Sequence, residues 1–148
     1  MPIEVTSVVR LDDGLRGDIS RLLADLSPDR TPPTPAELEE IVTSGSIRLL
    51  VARHPDMGSG VVGMVSLVIY RVPTGLRARV EDLVVLRQAR GLGIGKALML
   101  RAIASAREQG ADVIELTCNP RRIQANRLYL DLGFRKWDTN VYRLTLDV

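Results

Sequence analysis

Apolar and polar positions change rhythm several times along the chain. Residues 3–9 alternate weakly, as an opening strand would. Asp12 or Asp13 can cap a helix whose apolar stripe is Ile19, Leu22, Leu23 and Leu26. Gly14 and Gly17 weaken that helix, and Pro28 ends it. The segment Pro28 to Pro35 reads as a loop between two short helices. A second helix start follows. Thr34 is placed as N-cap, Pro35 as the first helical residue and Glu37 as the partner in a capping box. Leu38, Ile41 and Val42 form its apolar face, and Gly45 is a natural stop.

From there the period shortens to two. Ile47 to Arg53, Val61 to Arg71 and Arg77 to Leu86 are predicted strands, separated by the turns HPDMGSG (54–60) and Pro73 to Gly75. A helical period returns from Ile94 to Gln109, with Ile94, Leu98, Ala102 and Ala106 on one face and Gly110 as its left-handed stop. Val113 to Cys118 is a predicted strand, and Ile123 to Leu132 a helix stopped by Gly133. Phe134 to Lys136 and Val141 to Val148 are predicted as closing strands, the latter alternating Tyr142, Leu144 and Leu146. The order βααβββαβαββ describes an α/β (α+β) chain: an antiparallel meander followed by a strand–helix–strand unit.

Composition narrows the class. The 148 residues fit one domain, 1–148, with enough chain for a full core. Cys118 is the single cysteine, so no internal disulfide can form. The opening residues lack a charged and then apolar leader, and no apolar run approaches a membrane span, so a cytoplasmic protein without a membrane partner is expected. Net charge is +2 with acidic residues interleaved, and aromatics are 3%, which leaves few platforms for stacking bases; no nucleic-acid partner is expected. No His, Cys or carboxylate cluster has metal spacing, so no metal is expected. His54 is read as a solvated loop histidine, and Cys118 as a core cysteine.

The stretch RVEDLVVLRQARGLGIGKALM (79–99) carries the candidate chemistry. A strand runs into Arg90, Gly91, Leu92, Gly93, Ile94 and Gly95, and a helix follows at once. The glycines allow a sharp turn with outward N–H groups, and the helix start adds unpaired N–H groups and the positive end of its dipole. These make a cradle for phosphate, with Arg90 and Lys96 adding charge; the same turn could also be packed only for shape. A Walker A loop would need Ser or Thr after Gly95-Lys96, where Ala97 stands. The spacing G-x-G-x-G also departs from the G-x-G-x-x-G of a dinucleotide fold.

Arg90, Gly93 and Gly95 do fit [RQ]-x-x-G-x-[GA], the acyl-CoA pyrophosphate loop of the GNAT superfamily of N-acetyltransferases. The strand VEDLVV resembles that family's fourth strand. LTCNPRRIQANRLYLDLGF (116–134) resembles its second motif, through Asn126, Arg127, Leu128 and Tyr129 and then Gly133 and Phe134. The similarity covers about residues 46–146.

The resemblance implies a mixed, mostly antiparallel sheet splayed between the fourth and fifth strands and flanked by about four helices. It implies acetyl-CoA as cosubstrate and direct transfer of the acetyl group to a primary amine of a small molecule. The pantetheine arm would lie in the splay against main-chain groups of Leu83, Val84 and Val85. The pyrophosphate would sit on Arg90, Gly91, Leu92, Gly93, Ile94, Gly95 and Lys96, with Asn126 touching the cofactor. Tyr129 would protonate the departing thiolate, and Glu81 would take the amine's proton, with Glu115 on the fifth strand as the rival base. Period two places Glu81 and Leu83 on one face and Asp82 on the other, as a structural residue. A non-catalytic acyl-CoA sensor and an enzyme acting on protein N-termini or lysines are the alternatives, and a homodimer is left open.

Overall fold

The computed structural model describes residues 3–146. The chain divides into two compact units, Met1–Leu116 and Thr117–Val148. The first contains β1 (Glu4–Ser7), α1 (Asp13–Leu26), α2 (Pro35–Thr43), β2 (Ile47–Arg53), β3 (Gly63–Val72), β4 (Gly75–Val85), α3 (Ile94–Glu108) and β5 (Val113–Glu115). The second contains α4 (Ile123–Asp131).

Local chemistry sets the helix starts. Asp12 is the cap of α1, its Oδ1 accepting from the Leu15 amide at 2.7 Å. At α2 the capping box closes as its sequence demands. The Glu37 amide donates to Thr34 Oγ1 at 3.1 Å, and the Thr34 amide donates to Glu37 Oε1 at 2.9 Å.

The sheet order is β1-β2-β3-β4-β5. The first four strands are antiparallel neighbours, and β5 runs parallel to β4. That last pairing is short: Arg77 with Val113, Ala78 with Ile114 and Arg79 with Glu115. β4 continues to Val85, paired with β3 on one side and leaving β5 on the other. This is the splay that the resemblance implies.

Leu49, Leu50, Val51 and Ala52 of β2 are all buried, which requires cover on both faces of the sheet. α3 packs across β1 to β4, whereas α1 packs on β3 and β4 and α2 on β2. α3 comes close because Gly63 has no side chain. A Cβ there would lie 2.9 Å from Ile94 Cγ2 and 3.0 Å from Leu98 Cδ1.

The end of the chain departs from its pattern. β5 stops at Glu115, short of Cys118, and residues 134–146 form no strand. Residues 147 and 148 of the second closing strand lie outside the described residues. Tyr142, Leu144 and Leu146 alternate as expected, but each is more than three-quarters exposed. Alternation makes a strand only where a neighbouring edge supplies hydrogen bonds, and no strand pairing is formed by residues 134–146.

Candidate active site

The phosphate cradle is built from the end of β4. The Leu86 amide donates to Val62 O at 2.9 Å, and a single 3-10 turn at Arg87–Ala89 follows, anchored by buried Ala89. Gly91 and Gly93 then take φ 82° and 83°, conformations that side chains resist. α3 begins at Ile94 with no side-chain cap. Its first backbone bond runs from the Ala97 amide to Gly93 O at 3.0 Å. Helix geometry leaves the amides of Ile94, Gly95 and Lys96 ahead of that bond without intrahelical acceptors. A Cβ on Gly91 would meet nothing within 4 Å, and one on Gly93 only Ile3 Cδ1 at 3.9 Å. The space in front of the helix start is therefore open.

Buried Ile94 anchors the helix, while Arg90, Leu92 and Lys96 are exposed. Arg90 Nε points back toward Val85 O, 3.4 Å away. Arg90 to Lys96 thus come together as one short cationic loop, with an uncapped helix N-terminus suited to an oxyanion.

The acidic part of β4 differs from simple alternation. Register passes from Ser66–Glu81 to Met64–Val84, so β4 carries one extra residue there. Asp82, at φ 53°, is the single non-glycine residue with positive φ among those described. This is a β-bulge, and it inverts the faces beyond it. Ala78 and Val80 are buried before the bulge and Leu83 after it, whereas Arg79 and Glu81 are half-buried. Glu81 and Leu83 therefore do not share a face, and Asp82 sits in a bulge and not in a regular stretch of strand.

The two acids stand in different surroundings. Glu81 Oε1 accepts from Arg79 Nε at 2.5 Å. Arg79 is also the register partner of Glu115, so the rival base lies across the same arginine. Asp82 is open to solvent yet crowded by protein. That crowding raises its carboxyl above the usual range; adjacent Glu81 adds to the rise and Arg30 opposes it.

In the second unit, Tyr129 is buried on α4 with its ring edge-to-face against Phe134, centroids 5.9 Å apart. Burial pushes its phenol up from 10.0; Cys118 adds to this and Arg122 opposes it. The side-chain amide of Asn126 donates to Arg122 O at 2.8 Å, to Asn119 O at 3.0 Å and to Cys118 Sγ at 3.4 Å. Its donors thus pin the turn before α4, which leaves only Oδ1 for a cofactor contact. Cys118 is half-buried and free.

An open cavity of about 650 Å³ lies at the other edge of the sheet, between the end of β1, the start of α1 and the turn after β2. None of the residues named for chemistry lines it. Its acids are engaged: Asp12 caps α1, and Asp18 accepts from the Val61 amide and pairs with Arg21. No group of three His, Cys, Asp or Glu suited to a metal occurs among the described residues. No helix among them is long and apolar enough to cross a membrane.

Comparison with known proteins agrees with this layout. Residues 18–134 match the model of the acetyltransferase (GNAT) family. The chain is 37% identical over 78 residues to the aminoalkylphosphonate N-acetyltransferase of Salmonella typhimurium, covering 51% of each. It is 41% identical over 54 residues to a mycothiol acetyltransferase of Paenarthrobacter aurescens, covering 36% of this chain and 17% of that one. The chain therefore spans about half or less of these curated relatives. Among solved structures, an acetyltransferase from Trypanosoma brucei superposes with a TM-score of 0.77 at 27% identity, covering 98% of this chain and 100% of the other. With the splayed sheet, the glycine-rich helix start and a family match over most of its length, the chain belongs to the GNAT acetyltransferase family.

Proposed function

We propose that the chain binds acetyl-CoA and transfers its acetyl group to a primary amine of a small molecule. The observation that carries this reading is the uncapped start of α3 behind two positive-φ glycines, at the end of a strand that has parted from its neighbour. The relative that acetylates aminoalkylphosphonates supports a small acceptor.

The pyrophosphate rests on the amides after Gly93, with Arg90 and Lys96 supplying charge. The acyl arm runs along main-chain groups of Leu83, Val84 and Val85, where β4 lacks β5 as a partner. Glu81 takes a proton from the acceptor ammonium, which frees the lone pair for attack on the thioester carbonyl. A main-chain N–H near Leu83 stabilises the charge that gathers on the carbonyl oxygen. The C–S bond breaks, Tyr129 donates its proton to the departing thiolate, and the second proton that the attacking nitrogen sheds returns Tyr129 to its neutral form through solvent.

Two measurements test the reading. Acetyl-CoA at about 100 times its dissociation constant should stabilise the fold by about 2.7 kcal/mol, and thiol should be released when amines are added. A melting temperature that responds to ATP and ignores acetyl-CoA would remove the loop assignment. The base is tested by Glu81→Gln. Its turnover should fall most at moderate pH and partly recover at alkaline pH, where solvent itself deprotonates the amine. Activity lost in Glu115→Gln alone would move the base to β5.

A further inference from the structure

The second unit carries a fastening at each end of α4, and Tyr129 lies between them. At the C-terminal end Gly133 takes φ 99°, and the Phe134 amide turns back to Tyr129 O at 3.0 Å. The N-terminal end lacks the usual device. Arg122 stands at the cap position, and a guanidinium has no acceptor to offer the amides of the first turn. The preceding turn is held by two asparagines instead. Asn119 Oδ1 accepts from the Arg121 amide at 2.9 Å, and Asn119 O from the Arg122 amide at 3.0 Å. Asn126 reaches back from inside the helix, its side-chain N–H groups spread over Arg122 O, Asn119 O and Cys118 Sγ.

This clasp matters because α4 is short. A helix of nine residues is marginal by itself, so the place of its first turn is set by what that turn is tied to. Asn126 and Tyr129 stand one turn apart on the same side of it. The groups that Asn126 holds also act on the phenol: after burial, Cys118 raises its pKa and Arg122 lowers it. Loss of the Asn126 donors would free residues 118–122 from the helix and let the Tyr129 hydroxyl shift.

We propose that Asn126 is a positioning residue for the acetyl transfer: its side-chain amide clasps residues 118–122 to the start of α4 and so fixes where Tyr129 presents its hydroxyl to the departing thiolate. The role rests on the acetyl-transfer reading above, and it assigns Asn126 to the general acid and not to the cofactor.

The test is a double-mutant cycle of Asn126→Ala with Tyr129→Phe, reading kcat and the CoA dissociation constant. Alanine removes the donors and is itself the better helix former, so α4 keeps its intrinsic preference. Asn126→Ala should lower kcat by about tenfold or more, as small misplacement of a reacting group does, with CoA affinity within about twofold of wild type. In the Tyr129→Phe background the same change should alter kcat by less than about twofold, because the hydroxyl it positions is already gone. Asn126→Ser should recover part of the loss, since a hydroxyl can donate to the carbonyl of Arg122 one turn back. It runs through the same cycle, which keeps the comparison intact where the alanine variant does not fold. Equal losses of kcat in the two backgrounds would overturn the positioning role. CoA affinity weakened by about tenfold with kcat unchanged would overturn it too and return Asn126 to the cofactor. Both results leave acetyl transfer standing. Wild-type turnover in Tyr129→Phe would remove the general acid, and release of no thiol with any amine would remove the acetyl-transfer reading; either takes this role with it.

Discussion

Replacing Tyr129 by phenylalanine should lower turnover by about 10²–10⁴-fold, the usual share of a positioned general acid. The substitution removes one hydroxyl and keeps the ring that packs edge-to-face on Phe134. Fold and acetyl-CoA affinity should therefore stay near wild type. The loss should fall mainly on kcat, because the proton is required as the C–S bond breaks and not when substrate binds. Burial raises the phenol's pKa, which favours the protonated form that a general acid needs. The measurement is kcat and CoA binding on one preparation of each protein, repeated with a donor of more acidic thiol. That donor should suffer less, since its leaving group needs less help. Wild-type turnover in Tyr129→Phe would take the hydroxyl out of the mechanism.

Gly93→Val should weaken CoA binding by about tenfold or more, or at least 1.4 kcal/mol. Two effects combine. Valine resists the φ of 83° that Gly93 adopts, and its side chain would project into the open space before the amides of α3. The control is Gly110→Val. Gly110 has φ 80° and also meets nothing within 4 Å, so it bears a similar backbone penalty at the far end of the helix. Gly110→Val should lower the melting temperature and leave the CoA dissociation constant alone. Equal weakening of CoA binding in both variants would show that general destabilisation, and not the cradle, is responsible.

Local signals were the ones the sequence made plain. Thr34, Pro35 and Glu37 name the start of α2 to the residue, because a capping box is complete within four positions. Ile94, Leu98, Ala102 and Ala106 name the buried face of α3 for the same reason: one helix decides it. The splay needed family resemblance, since nothing in residues 113–118 alone says where parallel pairing ends. The bulge was hidden. VEDLVV alternates well enough to look continuous, and the extra residue is visible only against β3. The tie between α1 and the end of β4 was hidden too, because Asp25 meets the Arg87 amide sixty-two positions onward. The closing alternation failed for the opposite reason: Tyr142, Leu144 and Leu146 have the pattern, but a pattern does not provide an edge to pair with.

β4 beyond Arg79 also has a consequence for how the protein resists self-association. Where β5 departs, β4 offers main-chain donors and acceptors in the manner of an exposed sheet edge. A flat edge of that kind would recruit a strand from another molecule and seed aggregates. The insertion at Asp82 bends and twists this one, so that an incoming regular strand loses register after a few residues. Glu81 and Asp82 further place charges along it, which an apolar strand could cover only by desolvating them. The bulge therefore also guards the unpaired edge of β4 against strand addition.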